Sequence, residues 1–225
     1  EQNVDLNAGK NQGRLFRITP KGGLPHVTPE FPRDDLAAVV AALDHPNQWW
    51  RLTAQRLLVE WNDASAVAPL QELARHSTNP LARAHALWTL QGMDALDDES
   101  LLGAFERPSD ELLEHAVQLA MARVIRSNEL RDALNRLYTL PAPRVRMWTA
   151  LAYAQSPDLR DNKVPKLLAI ADQNAYDPFM RLALLPGLVT QPDLALGALL
   201  SEDRPDNGGL ELLTLSAEGA ASHVS

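Results

Sequence analysis

Apolar residues recur along this chain at helical spacing inside five similar segments. When the segments are aligned on one charged position, they share apolar columns one residue before it and three and seven residues after it. The columns hold Trp50, Ala82, Leu113, Val145 and Met180; Ala54, Ala86, Val117, Thr149 and Leu184; and Leu58, Leu90, Met121, Tyr153 and Leu188. Steps of four residues place all three columns on one face of a helix. The pattern therefore predicts five α-helices, each with one buried stripe.

A charged column and a proline mark the same register in every segment. The charged column holds Arg51, Arg83, Glu114, Arg146 and Arg181, so the segments repeat every 31 to 35 residues. Each segment begins beside Pro46, Pro80, Pro108, Pro143 or Pro178, where the first turn of a helix tolerates a missing N–H. Such a period is typical of repeat proteins. We interpret the charged column as a structural ladder that pairs with helix ends or with Asp residues of the adjoining repeat.

A second set of short apolar stretches lies between these segments and predicts partner helices. They span residues 67–75, 100–105, 129–138, 164–171 and 194–200, and a further one at 34–43 precedes the first segment. Asp34 or Asp35 is placed to cap that first helix. Each helix pair can bury its apolar faces only by stacking on the next pair. The sequence therefore predicts an all-α fold, an α-solenoid of antiparallel helix pairs over residues 33–201.

The first 32 residues differ from the rest and predict an extended arm. Residues 13–18 alternate polar and apolar side chains as a strand does, and prolines and glycines then interrupt the chain as far as Pro32. A strand needs a sheet, so we expect its pairing strands in a domain upstream; a disordered or chain-paired arm is the alternative. We also expect residues 202–225 to be a final helix or a tail that leads to a further domain.

Three stretches carry a resemblance to a known family. Residues 13–22, 45–58 and 84–90 resemble the middle of large secreted bacterial proteins of the membrane-bound dehydrogenase and haem-binding type. The resemblance covers most of the chain and weakens beyond Leu119. In that family a β-propeller related to soluble sugar dehydrogenases is followed by HEAT repeats and then by a cytochrome c domain. The resemblance implies that 13–18 is the closing strand of the propeller and that 33–201 is a HEAT-like array between the two domains.

The same resemblance implies partners, a cofactor and a location for the whole protein. The array's partners would be the propeller and cytochrome c domains of the same chain, or another protein, and haem c would be held in the cytochrome domain. The location would be periplasmic or secreted. Neither the propeller's catalytic residues nor the haem-binding cysteines lie in this sequence, so no functional residue is carried over and no cofactor is expected in this segment.

The residue composition offers little catalytic chemistry. The 225 residues include no cysteine, which excludes disulfides, thiolate metal sites and a C-x-x-C-H haem attachment within this stretch. The six histidines are scattered without an H-E-x-x-H motif, and the reversed pair Glu114-His115 is more typical of a solvated helix edge than of a metal site. His85 is interpreted as a packed histidine. No apolar run reaches the roughly 18 residues of a membrane span. We therefore expect a segment that is not an enzyme.

Charge is distributed unevenly around a net value of −8. Residues 94–114 carry eight acids against Arg107 alone, whereas residues 115–146 are rich in arginine. Candidate docking residues for an acidic protein surface or a haem propionate are Arg123, Arg126, Arg131, Arg136 and Arg144. The alternative is a solvated surface whose two halves neutralise each other. Trp49 is a further docking candidate, because its column is mixed in polarity and its ring is expected at the edge of the array, against what precedes it.

Three functions are compatible with the sequence. The favoured one is a non-catalytic scaffold that links and positions the propeller and cytochrome c domains. The alternative is a free-standing module for protein–protein interaction. The third, an enzyme or nucleic-acid binder built on HEAT-like repeats, is disfavoured because an isoelectric point near 5.2 leaves no continuous basic stripe for phosphates.

Overall fold

The computed structural model describes residues 21–22, 30–106, 109–124, 126–155, 163–174 and 177–200. The chain divides into two compact units, Glu1–Glu30 and Phe31–Ser225. In the first unit the described residues are Glu30 and the exposed turn at Lys21 and Gly22. The predicted strand at 13–18 and the predicted tail at 202–225 lie outside the described residues, so both stay predictions.

The second unit is helical throughout its described part. Its α-helices are α1 Leu36–Ala41, α2 Gln48–Trp61, α3 Val67–His76, α4 Pro80–Gly92, α5 Asp98–Glu106, α6 Asp110–Ala120, α7 Asn128–Leu134, α8 Pro143–Gln155, α9 Lys163–Asn174, α10 Pro178–Val189 and α11 Pro192–Leu199. Short 3-10 turns, Ala42–Asp44 and Ala64–Ala66, precede α2 and α3. The described residues contain no strand. The prediction of an all-α fold is confirmed.

The helices form two layers. The even-numbered helices α2 to α10 are the five that carry the charged column, and each contacts the next even-numbered helix. The odd-numbered helices are the predicted partners, and contacts join α1 to α3, α3 to α5, α5 to α7 and α9 to α11. Each layer therefore grows by adding one helix per repeat, as expected of a HEAT-like α-solenoid.

Polar side chains set where many of the helices begin. Asp35 caps α1 by accepting a hydrogen bond from the Ala38 N–H at 3.0 Å, so of the two predicted caps Asp35 is the one used. Side chains of Asn47, Asn79, Ser109, Ser127 and Asp177 cap α2, α4, α6, α7 and α10 in the same way. In α4 and α10 the cap is followed by a proline at the first helical position, where no N–H is required.

The predicted apolar columns form the core. All of their residues are buried except Trp50 and Met121, which are half-buried. The core falls into two clusters that meet in α8: Val145 and Ala152 belong to the first cluster, and Ala150 and Tyr153 to the second. Because α8 contributes side chains to both, it couples the two halves of the array.

One predicted helix is shorter than expected. The pattern predicts a helix over 129–138, whereas α7 ends at Leu134 and turns follow to residue 139. The N–H groups of Arg136 and Leu137 donate to carbonyls only three residues back, on Ala133 and Leu134. The periodic apolar residues beyond α7 are thus accommodated in tight turns, a geometry that apolar spacing does not separate from a helix.

Candidate protein-binding site

The charged column ties the two layers together, most clearly at Arg83. This residue is only 3% exposed, and its Nε and Nη2 donate to the carbonyls of Ala74 and Gly103, both at 2.8 Å. Those carbonyls lie in the last turns of α3 and α5, where a helix leaves its own carbonyls unpaired and carries partial negative charge. One guanidinium therefore binds the ends of two successive odd-numbered helices.

Arg51 occupies the same column in the first repeat. Its Nη1 donates to the carbonyls of His45 and Pro46 at 2.8 and 2.9 Å, and its Nε donates to His85 Nε2 at 3.3 Å. The two carbonyls follow the 3-10 turn before α2, so Arg51 also binds a helix end. It also joins α2 to α4.

Arg146 is the buried member of the column in the fourth repeat. Nη1 donates to the Leu140 carbonyl at 2.6 Å and Nη2 to Asn174 Oδ1 at 2.8 Å, the latter at the end of α9. Its Nε has no hydrogen-bond partner among the described residues, and burial lowers the pKa of Arg146. The interpretation of the column as a ladder onto helix ends is confirmed at Arg51, Arg83 and Arg146.

Glu114 reverses the charge of the column in the third repeat. Its Oε2 lies 2.8 Å from Arg144 Nη2, with the Glu114 side chain 13% exposed and the Arg144 side chain 77% exposed. Together with the pair of Arg123 and Asp98, this contact shows that the acid-rich and arginine-rich stretches partly neutralise each other across neighbouring repeats, in line with the alternative to a docking stripe.

His85 lies on α4, and its half-buried side chain faces α2. Its Nε2 accepts from Arg51 Nε, and its Nδ1 lies 2.7 Å from Gln55 Oε1. These partners suit a neutral ring with its proton on Nδ1. Burial, followed by the charges of Arg51 and His115, lowers the pKa of His85. The interpretation of His85 as a packed histidine is confirmed.

Three of the five candidate docking arginines are engaged within the chain. Arg123 donates to Asp98 Oδ1 at 3.0 Å and to the Leu96 carbonyl at 2.5 Å. Arg131 donates to the Val124 carbonyl through Nε and Nη2, both at 3.4 Å. Arg144 pairs with Glu114, as described above. These three side chains are therefore held by contacts that also join neighbouring elements.

Arg126 and Arg136 are both exposed, and neither side chain makes a hydrogen bond or ion pair to a described residue. Arg123 and Arg126 lie on the α6–α7 connection, and Arg136 lies on the α7–α8 connection. These two connections are at opposite ends of α7, a seven-residue helix about 10 Å long. Arg131 lies within α7 and Arg144 in the first turn of α8, so the five arginines are spread over several elements and do not share one connection.

Trp49 lies at the start of the array with its side chain 57% exposed. The ring of Phe31, which precedes the first helix, packs 6.3 Å from Trp49 and 6.0 Å from Trp50 between ring centroids. The His45 ring stacks on the Trp50 ring, with 4.1 Å between the two ring centroids. The expectation that Trp49 packs against the chain that precedes the array agrees with its contact with Phe31.

A cleft of about 350 Å³ opens beside two of the candidate arginines. Its lining residues are Gln91, Asp98, Ala122, Arg123 and Arg126. They come from the last turn of α4, the first residue of α5 and the α6–α7 connection, in two successive repeats. Sequence reasoning missed Gln91 and Asp98 because they are about 30 positions from the arginines in the chain. The one available signal is the repeat register, which brings equivalent turns of adjacent repeats side by side.

The described residues offer no other obvious chemistry. They contain no group of three or more His, Asp or Glu residues that could hold a metal ion. None of their helices has the length and apolar character needed to cross a membrane.

Comparison with known proteins identifies HEAT repeats at residues 36–122, which correspond to α1 through α6 and the start of the turn after it. No curated protein matches the chain. The later helices α8 to α11 continue the same two layers. HEAT-like stacks of helix pairs present extended surfaces that such proteins use for binding, so the chain is suited to a protein-interaction scaffold.

Proposed function

We propose that the HEAT array is a non-catalytic scaffold that links and positions a propeller dehydrogenase-like domain and a cytochrome c domain within a secreted or periplasmic redox protein. The HEAT repeats at 36–122 and the resemblance of residues 13–22, 45–58 and 84–90 to the middle of such proteins support this role. The haem would be held by the cytochrome domain, and this segment would set the distance between that domain and the propeller domain.

The observation that carries the proposal is how the charged column is used. Arg83 and Arg146 are buried. Arg83 donates to carbonyls at the ends of α3 and α5, and Arg146 donates to the Leu140 carbonyl and to Asn174 at the end of α9. Groups committed in this way stabilise a fixed stacking geometry. A spacer between two redox domains needs that property, because its task is to hold a separation.

The start of the array supports the same role. Phe31 packs on Trp49 and Trp50, and the guanidinium of Arg33 lies 5.8 Å from the centroid of the Trp61 ring. Aromatic and cation–π contacts of this kind contribute about 0.5 to 1.5 kcal/mol each. They fix residues 31–33 on the first helices, so the chain enters the array in a defined direction.

The decisive experiment replaces residues 33–201 of the full-length protein by a Gly/Ser linker of equal length. Such a linker has a root-mean-square span of about 70 Å with a wide spread of separations. Electron transfer from the substrate-oxidising domain to haem should slow, whereas oxidation of substrate with a soluble dye as acceptor should be unchanged. An unchanged rate of haem reduction would contradict a positioning role, as would a coding sequence without a propeller upstream or a C-x-x-C-H motif downstream.

A free-standing interaction module is the second candidate. The cleft beside Arg126 favours it, because an open binding site is of no use to a mere spacer. The coding sequence on both sides of this segment distinguishes the two candidates.

A further inference from the structure

We propose that the cleft between the α4–α5 and α6–α7 connections binds an acidic side chain of a partner protein. Arg126 would bind the carboxylate, Gln91 would add a hydrogen bond, and Arg123 would be a positioning residue. The inference does not rest on the linking role proposed above, because a carboxylate on any protein surface could enter the cleft.

The size of the cleft suits a side chain. Its volume of about 350 Å³ is at the lower end of the roughly 300 to 1,000 Å³ typical of ligand sites. It lies between two successive repeats, so helices on both sides fix its walls. Such a cleft admits one or two side chains of a partner.

The polar groups of the cleft divide into fixed and available ones. Arg123 is held by Asp98 Oδ1 at 3.0 Å and by the Leu96 carbonyl at 2.5 Å. Arg126 and Gln91 are exposed, and neither side chain has a hydrogen-bond partner among the described residues. An arginine fork binds a carboxylate through two parallel N–H groups. Of the two available side chains in the cleft, Arg126 is therefore the one best suited to bind a carboxylate.

The repeat register shows that the fold does not require these arginines. In the other four repeats the position of Arg123 holds Glu60, Gly92, Gln155 and Thr190, and the position of Arg126 holds Asp63, Ala95, Asp158 and Asp193. No other repeat has a cation at either place. Asp63, at the position of Arg126, instead caps the turn that follows it by accepting a hydrogen bond from the Ser65 N–H at 2.9 Å. The third repeat alone has acquired two positive charges here.

The charges around the cleft favour a single carboxylate over a polyanion. Asp98 offsets Arg123, which leaves Arg126 as the uncompensated charge of the lining. Asp94 is exposed on the same connection as Asp98, and the chain carries a net charge of −8. A nucleic acid would be repelled by these acids, whereas one Glu side chain can meet Arg126 at close range. Because Arg126 is exposed, binding should weaken as salt screens the charges.

The test titrates the 225-residue chain with the peptide acetyl-Gly-Glu-Gly-amide. Binding is detected by NMR through the signals of the arginine Nε–H groups. Addition of the peptide should shift the Arg126 signal in a saturable way, with little movement of Arg136. Replacement Arg126→Gln should weaken binding at least tenfold. The matched control is Arg136→Gln, which removes another exposed, unpartnered arginine outside the cleft and should leave binding within twofold.

Two further peptides test the chemistry of the ligand. Acetyl-Gly-Gln-Gly-amide should bind at least tenfold more weakly, and equal binding would overturn the assignment of a carboxylate. Acetyl-Gly-Gly-Gly with a free terminal carboxylate should also bind more weakly, and equal binding would overturn the assignment of a side chain. Equal losses in Arg126→Gln and Arg136→Gln would show diffuse charge attraction and end the proposal. None of these results bears on haem reduction in the linker experiment, so the two proposals can fail separately.

Discussion

The two halves of the array share the same columns but fill them differently. In α2 and α4 the inner columns hold Ala54, Ala86, Leu58 and Leu90, all buried hydrocarbon. In α8 the corresponding positions hold Thr149 and Tyr153, whose hydroxyl groups donate to the Val145 carbonyl at 2.7 Å and to Asn135 Oδ1 at 3.0 Å. In α2 and α4 these two columns pack by apolar shape alone, whereas in α8 they also make specific hydrogen bonds.

The difference extends to the buried cations. Arg83 in the first half donates to two helix-end carbonyls, whereas Arg146 in the second half keeps an Nε that no residue in the described ranges pairs with. A buried polar group is costly when it is not hydrogen-bonded. The comparison teaches that one repeat pattern tolerates polar substitution where a hydrogen-bond partner is within reach, either in the same helix, as for Thr149, or in the preceding repeat, as for Tyr153.

The largest effects are expected in the shared apolar column, at Leu90 in the first half and Leu188 in the second. Both side chains are fully buried, so Leu90→Ala and Leu188→Ala should each lower the free energy of unfolding by about 2 to 5 kcal/mol. Because α8 joins the two core clusters, both variants should shift the same transition in a urea melt.

The matched control for these two variants is Leu182→Ala, since Leu182 is 63% exposed and its loss should change stability by about 0.5 kcal/mol or less. Two separate transitions, each sensitive to only one of the buried leucines, would show that the halves unfold independently. Comparable losses at Leu182 would contradict the assignment of the buried face.

The next largest effect on stability is expected at the buried arginines, and it should be larger at Arg83 than at Arg146. Removal of Arg83 by Arg83→Met leaves two helix ends without their donor and should cost about 2 to 3 kcal/mol. Arg146→Met also removes a buried charge whose hydrogen bonding is incomplete, so its cost should be about 1 kcal/mol or less. Denaturant melts of the two variants measure the difference, and the reverse order would contradict the incomplete pairing of Arg146.

A smaller effect is expected at the pair of Glu114 and Arg144. Arg144 is largely exposed, so Arg144→Gln should cost about 1 kcal/mol or less. The loss should shrink in 1 M salt, where charges are screened within about 3 Å. A double-mutant cycle with Glu114→Gln isolates the coupling between the two side chains, and a coupling that is unaffected by salt would show that the contact is not electrostatic.

The smallest effect near neutral pH is expected at His85. Because its pKa in the folded protein lies below the ordinary 6.5, the unfolded chain takes up the proton first as the pH falls. The stability that depends on neutral His85 is complete above pH 6.5 and is lost as the pH falls from there through the lowered pKa. Melts at pH 7.5 and 5.0 should show a larger loss for the wild type than for His85→Gln, and equal losses would contradict the lowered pKa.

Much of the fold could be predicted from the sequence because helical periodicity is a local property. The five even-numbered helices and most of their three buried columns follow from spacing and side-chain type, which also narrow the cap of α1 to Asp34 or Asp35. The end of α7 could not be predicted, because apolar side chains can also be covered in a turn: Leu137 is buried there and Leu140 is half-buried. The family of HEAT repeats was reached from residue stretches that include 45–58 and 84–90, within the region that the comparison later matched.

The candidate site could be predicted only in part. The sequence singled out Arg123 and Arg126, but it grouped them with Arg131, Arg136 and Arg144 as one stripe. Local charge counts carry no information on which end of a helix a side chain occupies or on whether a carboxylate from the preceding repeat has already neutralised it. The cleft itself joins residues from two repeats, so no stretch of sequence contains it.

The sequence by itself determined the repeat, its period and the face that each even-numbered helix buries, since these depend on the order of side chains along one helix. Only the tertiary structure decided what the charged column binds and which arginines stay available. Arg83 reaches carbonyls 9 and 20 positions away, and Arg144 meets a carboxylate in the preceding repeat. The physical reason is that the groups which pair with a charge are brought near it by packing between repeats. The residues next to that charge in the sequence do not determine which groups these are.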